Sequence, residues 1–551
     1  MKKQLSLTES ASRRPPLCAS SPLLWSLFPF AAGIFAAWTH SPFYVAIGIA
    51  TSAVLSLREN PVRRITVIGS FLAGTILMSL RAEVPHGDWR FLPPRETVGQ
   101  LKLVEIFNAR KADHLAGIGT LLSTEIPSDS VSSRQVAFYL ESVATKGTRP
   151  GLGEVLEFRG VLSYLPFSEQ HDDYQLYLLR RDIHLTLNQG EILASRSPPP
   201  RFEQLRLQLR ETCRAALTHG SKGKGHPGMV LASMLLGDRS LLSEEQIVLY
   251  KQSGTFHLFA VSGLHVGSFA ICLHLLTGFI RIPPQWRILP VLLGTWSYVW
   301  LTGSSPSAIR AGIMVSCLSM ARYLLRQPQF FPSLVLSAWL VLIYNPRQLF
   351  DLGFQLSYGV VSSIILVGLP MAQCCRVSLE GIFSRIYPRK RWQDLLGRLI
   401  QSIADLACVS ISAGMASMPL IVQHFGLFAP GGILLGILLN PLASLTVMLG
   451  CLVMLTGIAI GNLPAGWIAM ATWPGIRLME SMIAVCLRIP GAVSERHWPW
   501  PPTGTVLLMG ALILAWWLQW MRQNGKALPP ATVLLPLAVI LAGLSLASIG
   551  A

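Results

Sequence analysis

Long apolar runs recur along most of the chain, and nothing else in the sequence restricts its fold as severely. They lie near 22–39, 41–57 and 64–80, then near 255–280, 288–302, 307–325, 331–345, 353–370, 402–424, 431–459, 464–488, 504–521 and 529–549. A bilayer core of about 30 Å is crossed by about 20 apolar residues in helical form. Within it the backbone must satisfy its own hydrogen bonds, which leaves helices or closed barrels. Charged residues make up only 13% of the chain, against about 25% in a typical soluble domain. The reading is a mainly α-helical polytopic membrane protein with about 13 transmembrane helices.

The charge pattern orients these runs. Lys2, Lys3, Arg13 and Arg14 precede the first, and Arg58, Arg63 and Arg64 separate the second from the third. Positive loops stay in the cytoplasm, so the N-terminus is cytoplasmic and residues 82–200 fall outside. The first apolar run begins late and others follow at once, unlike a cleaved signal peptide. Counting onward, the cytoplasmic loops are 281–287, 322–330, 371–401, 460–463 and 522–528, of which all but 460–463 carry Lys or Arg. The formal net charge of +17 is therefore read mainly as a topology signal. It is weak evidence for nucleic acid, because residues 82–200 hold 12 Lys/Arg against 15 Asp/Glu.

That outer segment alternates in the manner of short strands, at Leu101–Phe107, Leu115–Thr124, Gln135–Val143, Glu154–Tyr164, Tyr174–Leu179 and Asp182–Asn188. Turn-rich stretches at 127–133 and 146–153 separate them. The pattern predicts an inserted small extracytoplasmic β-barrel, OB-like in strand number. None of the nine cysteines lies in it, so it has no internal disulfide. Phe107, Phe138, Tyr139, Phe158, Tyr174 and Tyr177 are available either for stacking on bases or for the barrel core. Pro198 to Pro200 form a stiff linker. Residues 201–217 read as an amphipathic interfacial helix, with Phe202, Leu205, Leu209 and Leu217 in one stripe and Arg206, Arg210 and Arg214 in a neighbouring one. Gly220 to Gly228 break the pattern.

Chemistry concentrates between 236 and 267. Ser243 to Gln246 fit a capping box that starts a short helix. His257 and His265 flank Ser262-Gly263 within an apolar run. Ionisable groups at membrane depth are costly and face a bundle interior or water, and a glycine there admits a close neighbour or breaks the helix. These residues line a polar passage, or they are two satisfied histidines and a packing glycine. Arg310 also lies in an apolar run and needs a carboxylate, a phosphate or water. Asp351 and Gln355, four apart, share a helix face. Arg310 is thus a forked donor for a passing phosphate or one half of a structural pair with Asp351. Asp405, His424 and Glu480 are further polar groups in apolar surroundings. Two histidines are too few ligands for a metal, no C-x-x-C occurs, and no phosphate-binding G-x-x-x-x-G-K-[ST] occurs, so no cofactor is expected.

His257-Leu-Phe-Ala-Val-Ser-Gly-Leu-His-Val-Gly267 is similar to the signature of ComEC-type competence proteins, H-L-L-A-I/V-S-G-L-H-V/I. The upstream Gly237-Asp-Arg-Ser segment resembles the same family. So do Ser305-Pro-Ser-Ala-Ile-Arg-Ala-Gly312, Tyr344-Asn-Pro through Gly353-Phe-Gln-Leu-Ser-Tyr358, Ser417-Met-Pro through Gly426, and Asn440-Pro441. The resemblance covers roughly 97 to 488. It implies an inner-membrane channel that carries single-stranded DNA into the cytoplasm during natural transformation. It further implies an extracytoplasmic DNA receptor and a cytoplasmic DNA-translocating ATPase as partners, besides the lipid bilayer. Asp238, Arg239, His257, Ser262, Gly263, His265, Arg310, Asp351 and Gln355 are the expected channel-lining residues. Many family members carry a metallo-β-lactamase-like nuclease domain. Its H-x-H-x-D-H motif is not found here, so a channel without the nuclease module is expected, not an enzyme. The alternatives are a membrane-embedded enzyme acting on lipid or polymer, with Asp351 and His265 as its acid/base pair, and a small-solute transporter. The expected division is membrane helices over 1–81, the β-domain over 82–200, the interfacial helix and linker over 201–228, the competence-type membrane core over 229–488, and C-terminal membrane helices over 489–551.

Overall fold

A computed structural model of the chain describes residues 22–38, 61–81, 93–107, 114–124, 134–141, 150–165, 175, 178, 183–198, 200–323, 330–386, 391–489, 493–500, 502–524, 528–545 and 547–549. The apolar run expected at 41–57 lies outside these residues. The first two helices described, α1 (Pro22–Trp38) and α2 (Pro61–Arg81), cross at paired glycines. A Cβ on Gly33 would sit 2.1 Å from the Phe71 carbonyl oxygen, and one on Gly74 would sit 2.2 Å from that of Phe30. Small residues at such crossings let membrane helices approach backbone to backbone.

The outer segment forms a closed five-stranded barrel. Its strands are β1 (Arg95–Phe107), β2 (His114–Thr124), β3 (Gln135–Glu141), β4 (Val155–Tyr164) and β5 (Leu185–Ser197), in the order β1-β2-β3-β5-β4 with β4 returning to β1. The β3–β5 pair is parallel and the others antiparallel. Alternation is the cause: Leu101, Leu103, Val136, Phe138, Leu140, Leu156, Phe158 and Leu187 point inward and fill the interior. Two of the aromatics considered for stacking, Phe138 and Phe158, are thus core residues, whereas Tyr139 is half-buried and rests against His114. The strand expected at 174–179 is not one where described, since Gln175 and Leu178 are helical. Leu178 instead seats an apolar side chain beside Ile118, Ala137 and Ile183. The last strand runs on to Ser197, at the proline linker.

Among the described residues the helical part packs around two large hydrophobic cores, beside a small cluster of Ala416, Leu420 and Leu508. The first gathers α3 (Arg201–Leu217), α4 (Pro227–Leu236), α5 (Glu244–Gln252), α6 (Gly263–Phe279) and α7 (Ile288–Leu301) against α13 (Gly431–Ala459) and α14 (Asn462–Leu487). The second joins α1 to α9 (Phe330–Tyr344), α10 (Leu352–Ser363), α11 (Leu369–Ile386), α12 (Arg391–Phe425), α15 (Thr503–Gln523) and α16 (Leu535–Leu544). Between them runs α8 (Pro306–Tyr323), which gives Ala308 and Ala311 to the first core and packs Ile313 and Met314 on the second. A three-stranded sheet of β6 (Leu427–Phe428), β7 (Ser494–His497) and β8 (Ser548–Ile549) ties two inter-helix segments to the segment after α16.

Among the described residues four helices are long and apolar enough to cross a bilayer alone: Leu352–Leu379, Gly397–Phe425, Gly431–Ala459 and Thr503–Arg522. Eight shorter apolar helices of 10–17 residues accompany them. Their outward faces carry large apolar side chains, such as Phe279 at 86% and Leu434 at 70% exposure, a surface that suits lipid and not water. The chain is a membrane protein. The run at 431–459 is one continuous helix despite Pro441. The basic stretch expected as a loop at 371–401 is largely helix, through the end of α11 and the start of α12. At about 1.5 Å per residue, the 35 residues of α12 exceed the membrane core, so its basic end projects beyond it.

The helix expected over 201–217 forms there, but its inward face differs from the apolar stripe. Glu203, Arg206, Cys213, Ala216 and Leu217 are buried, while Phe202 and Leu205 are 65% and 47% exposed. A buried ion pair lies on this inward face. Arg206 forks onto the Glu203 carboxylate and also donates to the Leu301 carbonyl at 3.4 Å.

Candidate functional site

The signature segment breaks between two helical pieces. A short 3-10 turn at Phe256–Phe259 ends, Ala260 to Ser262 run extended, and α6 begins at Gly263. Ser262 caps α6 reciprocally with His265, the third residue of the helix. The Ser262 N–H donates to His265 Nδ1 at 3.2 Å, and Ser262 Oγ lies 3.0 Å from the same nitrogen. With Nδ1 accepting, the hydrogen of the neutral ring sits on Nε2. Nε2 is buried and has no hydrogen-bond partner among the described residues, and His265 is 0% exposed. A buried donor without an acceptor is costly. His265 is therefore not a satisfied core histidine in this state.

The extended break is held from α8. Ser307 Oγ donates to the Val261 carbonyl at 2.7 Å, and Ser305 Oγ approaches the same oxygen at 3.4 Å. Gly263 faces α8 at packing distance: a Cβ there would meet Ala311 Cβ at 3.8 Å. One turn along α8 from Ser307, Arg310 is 2% exposed. Its Nη1 reaches Gln348 Oε1 only at 3.5 Å, and its Nε has no partner among the described residues. Asp351 does not take up that guanidinium in a hydrogen bond. Its Oδ1 accepts the Phe354 N–H at 3.0 Å and caps α10. The two charges meet across Gly353, where a Cβ would sit 2.9 Å from Asp351 Oδ1 and 3.2 Å from Arg310 Nη2.

Gln355 continues the polar line. Its Nε2 donates to the Leu349 carbonyl at 3.1 Å, and its Oε1 faces Thr505 Oγ1 at 3.5 Å. Gln423, near the end of α12, accepts the Thr505 N–H at 2.8 Å. Asp238 and Arg239 stand further off. Asp238 caps the turn after α4 by accepting from Ser240. Arg239 is exposed and lies over the Phe256 ring, 4.8 Å from its centre. Gly237 packs beside Val261, so the upstream segment touches the signature but not Arg310. His257 is exposed, with Nδ1 3.1 Å from the Gly254 carbonyl.

Of the nine residues singled out in the sequence, Ser262, Gly263 and His265 are thus joined through α8 to Arg310, and Arg310 to Asp351. Gln355 extends the row towards α12 and α15. Sequence reasoning passed over Ser305, Ser307, Gln423 and Thr505. The available signal was the presence of hydroxyl and amide side chains in otherwise apolar segments. Asp405 and Glu480 have local partners: Arg376 forks onto Asp405, and Gln246 donates to Glu480 at 2.7 Å. Among the described residues no group of three His, Cys, Asp or Glu could hold a metal ion.

Residues 234–523, more than half of the chain, match the family model described as Competence protein. The chain belongs to the ComEC family of competence proteins. The row of Ser262, Ser307, Arg310, Asp351, Gln355 and Gln423 falls wholly inside the matched competence region. ComE operon protein 3 of Bacillus subtilis (strain 168) is 28% identical over 278 residues, covering 50% of this chain and 32% of the relative. The Uncharacterized protein YcaI of Escherichia coli (strain K12) is 22% identical over 322 residues, covering 52% of this chain and 39% of the relative. The chain thus matches only about a third to two fifths of the length of these curated relatives. No solved structure matches it.

Proposed function

We propose that this competence protein takes part in DNA uptake for transformation by forming the inner-membrane passage for a single DNA strand. The observation that carries the reading is the convergence of four family-like segments on the seam between the two helical cores. They are the signature break at 260–265, Ser305 to Gly312, Asn345 to Gln355, and the end of α12. A phosphodiester in hydrocarbon is prohibitive, since charge there is strongly disfavoured. A seam lined by hydroxyls, amides and a guanidinium short of partners supplies the alternative. Arg310 offers the forked geometry that suits phosphate, and the free donors of His265 and Arg310 supply hydrogen bonds that the closed bundle leaves unmade.

His265 and Arg310 are 0% and 2% exposed, so the observed state is closed. Opening separates the two cores along α8 and wets this row. The five-stranded barrel, OB-like in strand number and closure, receives the strand on the extracytoplasmic side. About 13 crossings with a cytoplasmic N-terminus complete the arrangement. An extracytoplasmic DNA receptor delivers the strand, a cytoplasmic DNA-translocating ATPase draws it in, and the chain itself acts as a conduit, not an enzyme.

The test is import of labelled DNA, scored against protein abundance in the membrane, for Arg310→Ala and Ser307→Ala. A fall of tenfold or more at normal abundance is expected for Arg310→Ala. For Ser307→Ala, which frees the Val261 carbonyl, a smaller fall is expected. Normal import in both variants at normal abundance removes this seam from the mechanism.

A further inference from the structure

Three cysteines gather where α11 packs on α12. Cys408 is 5% exposed, and its thiol lies 3.7 Å from Cys375 Sγ. Cys374 and Cys375 are half-buried, and all three are free thiols. The helices are already tied beside them, because Arg376, next to Cys375, forks onto Asp405, one turn from Cys408. Toward α10 the continuous helix contains a π turn at Ile364–Gly368. Its Gly368 lies so close to α12 that a Cβ would sit 2.4 Å from Ser412 Oγ. Ser363 Oγ also donates to the Ser412 carbonyl at 3.0 Å. A π turn carries an extra residue within an α-helix and is often found at functional sites. The hairpin is therefore in intimate contact on one side of the thiols and salt-bridged on the other.

We infer that Cys375 and Cys408 form an oxidation site, a thiol pair that closes to a disulfide and staples α11 to α12 in the observed register. The inference is independent of what passes through the protein. The oxidant is a small membrane-permeant disulfide. The Cys375 thiolate, on the more accessible side, attacks one sulfur of the reagent and releases one equivalent of reagent thiol. Cys408 then attacks the Cys375 sulfur of the mixed disulfide and releases the second equivalent. The two protein thiols lose two electrons and two protons, and the reagent disulfide gains both as two thiols. Arg376 and Asp405 hold the sulfurs opposite one another while this happens.

The full-length protein in its native membranes is treated with 4,4′-dithiodipyridine, denatured, and labelled with a maleimide that adds mass to each free thiol. Loss of the maleimide label from both Cys375 and Cys408 is expected, with a peptide pair linked through these two residues in the digest. Both effects are reversed by dithiothreitol. Cys374→Ser keeps the link, and Cys375→Ser or Cys408→Ser abolishes it. A stable pyridyl adduct on Cys375 with Cys408 still free overturns the inference, as does a link that survives Cys375→Ser. Because the wild-type chain gives the main readout, misfolding of a variant leaves the result decisive.

Discussion

Asp351 stands where two demands meet on one side chain. Its Oδ1 caps α10 through the Phe354 N–H, and its charge lies across Gly353 from the Arg310 guanidinium. Two substitutions separate the roles. Asparagine caps a helix about as well as aspartate, whereas loss of a cap to alanine costs about 1 kcal/mol. Asp351→Ala is therefore expected to lower the thermal midpoint of the detergent-purified protein by a few degrees. Asp351→Asn is expected to leave that midpoint close to wild type while reducing DNA import severalfold, because Arg310 loses the nearby negative charge that holds it in place. Wild-type import by Asp351→Asn would reduce Asp351 to a cap. Both roles start from a sequence signal, since a carboxylate and an amide four residues apart on one helix stand out in an apolar run. The cap itself follows only from the backbone, because the helix begins at the residue after Asp351.

The element in which sequence and structure part most clearly is α3. Its length and helical character were legible from spacing, as were five of the six strands expected in the barrel segment, whereas spacing left open whether the run at 431–459 is one helix or two broken pieces. The orientation of α3 was not legible. Periodicity puts Phe202 and Leu205 on an interfacial stripe, and they are exposed, but it gives no sign that Glu203 and Arg206 are buried as a pair. The reason is a partner 95 residues away, the Leu301 carbonyl, which helps satisfy the guanidinium, and no local pattern reveals it. The seam was likewise half legible: single charges in apolar runs marked Arg310 and Asp351, while the serines that hold Val261 have no periodic signature. The α3 pair gives a direct check. Removing one partner of a buried pair leaves an uncompensated charge and costs about 3–5 kcal/mol, whereas replacing both with apolar groups is often neutral or better. Arg206→Met is thus expected to destabilise the solubilised protein strongly. The double variant Glu203→Leu with Arg206→Met should recover most of that loss. Equal instability of the single and double variants would mean that Arg206 acts mainly through Leu301 and not through Glu203.

Across the whole molecule, α3 links the barrel to both ends of the bundle. At the barrel, Pro200 abuts Gly153, where a Cβ would sit 2.9 Å from the proline ring. The first turns of α3 then meet the end of α7 at Leu301. The following turn, Gly303 to Ser305, leads into the seam through the Ser305 and Ser307 contacts with Val261. At its other end α3 meets the α13–α14 turn, where Ala216 packs on Gly457 and His219 on Gly466. The barrel, the 303–305 turn and the polar row therefore share one side of the helical part, and the 460–463 turn lies on the other. In the proposed orientation the first side lies outside the membrane, and the second, reached by counting crossings, lies in the cytoplasm. Single cysteines test this on a chain whose nine native cysteines have been replaced. Arg159→Cys on the barrel and Ser304→Cys beside the seam, both at exposed positions, and Leu463→Cys, 70% exposed in the far turn, are the three probes. A membrane-impermeant maleimide applied to spheroplasts should label the first two and spare the third until the membrane is permeabilised. Labelling of Leu463→Cys alone would invert the orientation. Labelling of Arg159→Cys without Ser304→Cys, even after permeabilisation, would mean that the mouth beneath the barrel is closed to solutes of that size. A strand arriving at the barrel would then need the two cores to part before it could reach Arg310.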